Sequence, residues 1–286
     1  METSLAIALT ITLIAGLLLI RFNSVSSPSA KYRKMIEAVR FDTETVLTEE
    51  ELTRRLQTLH LDHYRTKLYP LLRQEIVYKI EPCPEDTLKT GASRTGGRPD
   101  LPPDTVIAED LFFLAQFNCQ DLKQNDKQNL FPNKGMLYFF LNPHNKRLNR
   151  PDTVRVYYNS SSDNLVSRTD IAPLPDIIPG QICFFQAVSL PQYDTDIIQN
   201  MLHDYEMDGY FKMTNREQCH KLLGYPDTIT DNFDLGEDKV LLMQSDSDSA
   251  VGLQWGNMGR LFVFIDKDKL RRLQFDETET FVQSYE

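Results

Sequence analysis

Asp246 and Asp248 stand two residues apart in "SDSDS" (Ser245–Ser249), a few residues before Trp255. Carboxylates at that spacing could share a hard cation, because such ions take several oxygen ligands from short loops. A solvated turn has the same composition, and no metal is expected here. Gln116 and Gln244 each close an apolar stretch, "FFLAQ" and "VLLMQ". Amides so placed could grip a peptide backbone or a small polar ligand, or they could close hydrogen bonds inside the fold. Gln116, Gln244, Asp246, Asp248 and Trp255 are therefore the candidate ligand-binding residues.

Other clusters fail on chemistry. "DYEMDG" (Asp204–Gly209) reproduces the first half of a calcium loop, with Gly209 in sixth place, but the twelfth place needs a bidentate Glu and holds Asn215. It reads as a helix-terminating turn. "GASRTGG" (Gly91–Gly97) places Gly97 where a phosphate loop needs Lys, and Pro99 bars the helix that would cradle the phosphate. His60 and His63 lack the Glu of a zinc-protease helix. Cys219 and His220 are sequence neighbours, and adjacency does not build a nucleophile–base pair. No catalytic residue and no cofactor are nominated, and the balance leans away from an enzyme.

The elements that must position these residues follow from composition and pattern. The 286 residues are 41% hydrophobic and 25% charged, enough apolar mass for a sizeable core. The formal charge is −10, yet residues 21–80 hold eleven Lys/Arg against eight Asp/Glu, so the acidic excess lies in the remainder. An acidic body argues against nucleic-acid binding and suits a basic protein partner or simple solubility. Cys83, Cys119, Cys183 and Cys219 form no close pair, which excludes ribbon-type zinc sites. They read as mostly buried thiols, with disulfides as the alternative. "LAIALTITLIAGLLLI" (Leu5–Ile20) is followed by Arg21, Lys31, Arg33 and Lys34. It reads as a transmembrane anchor over residues 1–22 that leaves the body cytoplasmic. A cleaved signal peptide is the alternative, disfavoured by the acidic Glu2 ahead of the run.

A linker and helical segment is expected over residues 23–74, with Thr48 as the cap of "EEELTRRLQTL". From Glu75 the pattern turns to short aromatic and β-branched strands, with helices expected at residues 194–205 and 215–223. Three features then recur in one order. Gly97-Arg-Pro-Asp100, a strand ending at Gln116 and Asn133-Lys-Gly135 are matched by Gly224-Tyr-Pro-Asp227, a strand ending at Gln244 and Asn257-Met-Gly259. Pro to Gln spans 17 and 18 residues, and Gln to Gly 19 and 15. Gly135 and Gly259 would supply the backbone freedom of a tight turn before each strand. The fold class is thus α+β, mainly β, with internally duplicated, roll-like antiparallel sheets over residues 75–286 and an N-terminal helical segment.

These motifs, with "FPNKGMLYFF" (Phe131–Phe140) and "QWGNMGRLFVFI" (Gln254–Ile265), resemble the YwqG-like family over about residues 75–286. That family has no established activity, and the resemblance implies a mainly β, internally duplicated body. The chain departs from it in "LPPDTVIAEDL" (Leu101–Leu111), where the family carries Trp-Pro after Leu-Pro. The functional expectation is a membrane-anchored, non-enzymatic binding protein, for instance an immunity-type protein that neutralises a basic partner. The alternatives are a hydrolase-like enzyme with its site between the two repeats, near Gln116, Gln244 and Asp246, and a structural envelope-associated protein.

Overall fold

The computed structural model describes residues 27–42, 45–142, 153–230, 232–233, 235–236 and 238–285. Its sheet is built from the apolar stretches that the sequence marks. β1 (Arg73–Pro82) pairs along its length with β8 (Gly180–Ser189), from Arg73 opposite Ser189 to Pro82 opposite Gly180. On one side of this pair lie β9 (His220–Leu223), β10 (Lys239–Asp246), β11 (Asn257–Asp266) and β12 (Thr278–Tyr285). On the other lie β2 (Arg94–Thr95), β4 (Phe112–Asn118), β5 (Met136–Leu141) and β6 (Val154–Asn159). The order is β12-β11-β10-β9-β1-β8-β2-β4-β5-β6, every neighbour antiparallel. β3 (Asp100–Leu101) and β7 (Val166–Ser167) pair separately.

The sheet curls until its ends nearly meet: Thr278 Oγ1 on β12 donates to the Val154 carbonyl on β6 at 3.3 Å. The mainly β, antiparallel character therefore stands, in a nearly barrel-shaped arrangement. Alternate residues fill the inside, with Leu137 and Phe139 of β5 packing near Leu261, Val263 and Ile265 of β11 in one core. The opposite faces of these strands are also covered, Tyr138 and Phe140 by Leu101 and Ile171, Phe262 and Phe264 by Phe233. Burial on both faces explains why β5 and β11 read as unbroken apolar runs rather than alternating ones.

Most of the helices form a second layer, while the two short ones at Cys119–Lys123 and Lys267–Arg271 pack into the main core. α1 (Pro28–Ile36) is capped by Ser27, whose hydroxyl accepts the Ala30 N–H at 3.2 Å. α2 (Glu49–Thr58) is capped by Thr48, which accepts from Glu51 N at 3.1 Å, with three glutamates in the positive first turn. α3 (Arg65–Leu68) continues the segment, α4 (Cys119–Lys123) follows β4, and α5 (Asp196–Gln199) follows β8. α6 (Met207–Thr214) and α7 (Lys267–Arg271) complete the set. Leu52, Leu56, Leu59 and Leu61 meet Val188, Tyr210 and Met213 in a core of their own, so the N-terminal segment is clamped to the sheet through the β8–α6 region.

Several expectations need correcting. The single-pass anchor, with its membrane partner and cytoplasmic placement, is overturned: among the described residues no helix is long and apolar enough to cross a membrane. The run Leu5–Ile20 itself lies outside the described residues. The helix expected at 215–223 is β9, a short strand paired with β1, because cross-strand partners outweigh local helical spacing in so short a segment. Residues 194–205 hold only α5 and a 3-10 turn at Asp204–Glu206. The helix lies further on, so "DYEMDG" begins α6 instead of ending a helix. Gly135 does adopt a left-handed φ of +91° and lies against the Asn159 carbonyl. Gly259 is needed for space alone, since a Cβ there would sit 1.9 Å from the Trp255 carbonyl oxygen, and the left-handed residue is its neighbour Met258. All four cysteines are free thiols.

Leu56 is fully buried in the helical layer. Leu56→Ala should lower the unfolding free energy by about 2–5 kcal/mol, measured by urea denaturation, through lost apolar burial and the cavity left behind.

Candidate functional site

The two glutamines do the same work in separate places. Gln244 Oε1 accepts the Asp227 N–H at 2.9 Å, while its Nε2 donates to the Cys219 carbonyl at 2.8 Å and to Asp227 Oδ2 at 3.1 Å. Gln116 Oε1 accepts the Asp100 N–H at 2.7 Å, and its Nε2 donates to the Ala92 carbonyl at 2.8 Å and to Asp100 Oδ2 at 3.1 Å. Each amide thereby ties a Gly-x-Pro-Asp turn to a neighbouring strand. In both cases the aspartate meets a buried cation six residues earlier in the chain: Arg94 bonds Asp100, and Lys221 Nζ lies 2.8 Å from Asp227 Oδ2. Both glutamines are fully buried, and β9, β1, β8 and β2 separate their strands. The structure does not bring Gln116 and Gln244 together.

Beyond this shared unit the halves diverge. Around Asp227 three carboxylates and three cations interlock. Arg216 bonds Glu75 and also reaches Asp227 at 3.2 Å, Lys221 lies 3.3 Å from Glu75, and Arg260 Nε donates to Asp246 Oδ2 at 2.9 Å. Glu75 and Lys221 are wholly buried on the central strands β1 and β9. The remaining N–H groups of Arg260 donate to the carbonyls of Asp227, Arg216 and Glu217. Burial alone would raise the Asp227 carboxyl, but Arg216, Lys221 and Arg260 outweigh it and hold it well below the ordinary range. Arg216 and Arg260 are held correspondingly high against the opposing effect of burial, Arg216 chiefly by Asp227 and Arg260 chiefly by Asp246. The cluster is neutral as a whole and nearly complete in its hydrogen bonds, apart from the Arg216 Nε–H, which has no partner.

Asp246, Asp248 and Trp255 are likewise engaged or enclosed. Asp246 accepts the Cys219 N–H at 2.8 Å as well as the Arg260 bond. Its own N–H donates to His220 Nδ1 at 3.1 Å, which fixes the His220 proton on Nε2, 3.4 Å from Asp248 Oδ2. That hydrogen bond is the main cause holding the Asp248 carboxyl below its usual value. Trp255 is buried in the main core with its indole N–H unpartnered. Both ring nitrogens of His220 are thus committed, and its ring stacks on Tyr78. Burial pushes the Cys219 thiol up to about 12, the opposite of an activated nucleophile. Among the described residues no three His, Cys, Asp or Glu side chains are placed to hold a metal ion.

What the ionic cluster does build is the floor of a cleft. Arg216, Asp227 and Arg260 face a cavity of about 460 Å³ bounded by the β8–α5 loop, the end of α6 and Thr228, the residue after the Gly224–Asp227 turn. Its rim carries Tyr193, Phe211, Met258 and Tyr285, each 41–68% exposed. The Tyr193 and Phe211 rings pack edge to face with centroids 5.1 Å apart. A second cavity of about 550 Å³, lined by Tyr225, Phe233, Leu235 and Phe264, shares Gln192 and Asp194 with the first. On its wall Arg73 stacks over the Tyr225 ring at 4.0 Å. A concave pocket that combines polar groups with exposed aromatic side chains is a candidate binding or active site.

A family described as a domain of unknown function, DUF1963, matches residues 93–283. The chain belongs to that family. No relative is found among curated proteins. The DUF1963 match begins at Ser93, so it leaves out β1 and its Glu75, the strand at the centre of the sheet.

Glu75, Arg94, Arg216, Lys221 and Arg260 do not stand out in the sequence, because an isolated charged residue reads as solvent-facing. A usable sign was present. Arg94 precedes Asp100, and Lys221 precedes Asp227, by the same six residues within the repeated motif. The rim residues gave none, since Tyr193, Phe211, Met258 and Tyr285 come from four separate segments.

Asp227→Asn should cost about 3–5 kcal/mol at neutral pH, because it strips one carboxylate from a buried ionic cluster. A carboxyl held low in the folded state contributes stability above its unfolded value of about 3.9 and loses it as the pH falls further. The gap between wild type and variant, followed by chemical denaturation, should therefore narrow below about pH 4. In the folded protein Cys219 should also resist alkylation by iodoacetamide at pH 8, and mass spectrometry of the labelled chain reads this directly.

Proposed function

We propose that this protein is a non-catalytic binding protein whose partner is a basic protein docked on the aromatic-rimmed cleft. The observation that carries the reading is the pairing of rim and floor. Tyr193, Phe211, Met258 and Tyr285 stay exposed around a concave site whose floor charges, Arg216, Asp227 and Arg260, are already bonded within the ionic cluster. Exposed aromatic side chains around a concavity supply binding energy when covered, and aromatic anchors carry much of the energy of protein interfaces. The floor offers neither a free nucleophile nor an unengaged base, so turnover is the weaker reading. The excess of acidic residues, −10 over the chain, favours a basic partner by steering its approach.

Two finer elements belong to the same proposal. The strand order is mirrored about the β1–β8 pair, and the Gln–Asp–cation unit occurs once on each side. Each first hairpin also carries a register shift two residues before its glutamine, at Leu114 and at Leu242. These support a duplicated fold in which the second copy took on the partner site. The motifs shared with YwqG-like proteins support a place in that narrower group.

Replacing Met258 with p-benzoylphenylalanine and irradiating cells should yield a discrete crosslinked partner, with a Lys/Arg-rich surface and salt-sensitive retention before irradiation. The same probe at Val106, 87% exposed and outside the cleft, should not. Phe211→Ala in the Met258-probe chain should weaken the crosslink by about tenfold, as expected for loss of an aromatic anchor. Equal crosslinking from both positions, or indifference to Phe211, would refute the assignment.

A further inference from the structure

Asp194 lies where the two cavities meet, and it lines both. Its Oδ1 is shut off from solvent and accepts no hydrogen bond. No cationic side chain pairs with it among the described residues, and the same holds for Glu217 on the far wall of the first cavity. The six charges of the floor cancel among themselves, so these two carboxylates are the unbalanced charge of the first cavity, while the second adds Asp196, Arg73 over the Tyr225 ring and Lys239 paired with Asp266 and Glu279. A half-buried carboxylate lacking a counter-charge is poorly solvated, and a cation delivered to it gains more than it would at an open surface. The Arg216 Nε–H, in the lining of the same cavity, is also without a partner, yet the Arg216 charge is already balanced by Glu75 and Asp227.

We infer that the two cavities form one groove for an extended segment of the partner protein, and that a Lys or Arg side chain of that segment seats on Asp194. This rests on the binding reading above and adds the position that selects charge. The flanking surfaces fit apolar neighbours of that cation. Tyr193 and Phe211 stand on one side, and Phe233, Leu235 and the Arg73-covered Tyr225 ring on the other. Gln192 stands at the junction with Asp194. Its carbonyl-side oxygen already holds the Thr228 N–H at 3.1 Å and its Nε2 the Thr228 carbonyl at 3.0 Å, which fixes the wall between the cavities. Charge selection therefore falls to Asp194, with Glu217 adding longer-range attraction.

The probe is a panel of blocked nonapeptides with Phe and Leu flanks and Lys, Arg, Gln or Glu at the centre, measured by fluorescence anisotropy. Wild type should bind the Lys- and Arg-centred peptides about tenfold more tightly than the Gln-centred one, the size expected of a desolvated charge pair. Asp194→Asn should abolish that preference, bringing the Lys- and Arg-centred peptides to the level of the Gln-centred one, and Asp194→Glu should retain part of it. Thermal unfolding of both variants checks that the fold is kept. Phe211→Ala should weaken all peptides alike. Equal binding of the Lys, Arg and Gln peptides, or preference surviving Asp194→Asn, overturns the assignment of Asp194. A Glu-centred preference overturns it in favour of Arg216. Failure of every peptide, with the Met258 crosslink intact, overturns the extended-segment groove and leaves the protein-binding reading standing. Loss of both removes the two together.

Discussion

Everything around the cleft depends on one buried amide. Gln244 bonds the Asp227 N–H and carboxylate with its two ends and reaches the Cys219 carbonyl as well, so it holds the Gly-x-Pro-Asp turn against β9. An amide fully withdrawn from water must find partners for both ends, or the fold loses about 1–3 kcal/mol for each group left bare. That requirement positions Asp227 beneath the sheet surface. An ionised Asp227 then demands cations, supplied by Lys221 and Arg216. Those cations in turn demand Glu75, and so the turn becomes coupled to β1 at the centre of the sheet. One polar requirement propagates through four segments and ends as a rigid floor.

The first half meets the same requirement more cheaply. Gln116 holds Asp100, and Asp100 meets Arg94, but the chain of charges stops there. Where β10 places Asp246 opposite Arg260, β4 places Asn118 opposite Met136. Where Asp246 N–H finds His220, Asn118 N–H finds Ser93. The register is common and the chemistry is not. Buried ion clusters contribute little net stability compared with apolar packing, because desolvation offsets most of the attraction. Their presence on one side alone fits the proposed division of labour, in which one copy maintains the barrel and the other shapes a surface.

The sequence made the strands legible because their residues are buried on both faces, which turns β4, β5 and β11 into dense aromatic runs. The repeated turn and glutamine were legible too, since spacing survives in the chain. Their role was not, because Gln116 and Gln244 look identical whether they face a ligand or a carbonyl. Residues 215–223 were misread since Cys219, Leu222 and Leu223 have helical spacing, whereas pairing with β1 is visible only in three dimensions. The ionic cluster stayed hidden for a related reason. Its members span Glu75 to Arg260, and each one alone resembles an ordinary surface charge.

That dispersal also bears on what the cleft can do. A catalytic site keeps at least one group poised with an incomplete set of partners, ready to accept or release a proton in the reaction. Here the His220 ring nitrogens, the Asp246 carboxylate and the Arg260 guanidinium are each committed to neighbours within the fold. Moving a proton among them would break the bonds that shape the floor. The groups left incomplete are the exposed aromatic faces of the rim and the Asp194 carboxylate, and the proposed role takes both as contacts for a partner. Covering apolar surface and neutralising a fixed charge are both gains realised by association itself, with no bond made or broken. A rigid, internally neutral floor beneath such a rim keeps the cost of ordering small, and that is the physical argument behind the proposed recognition role.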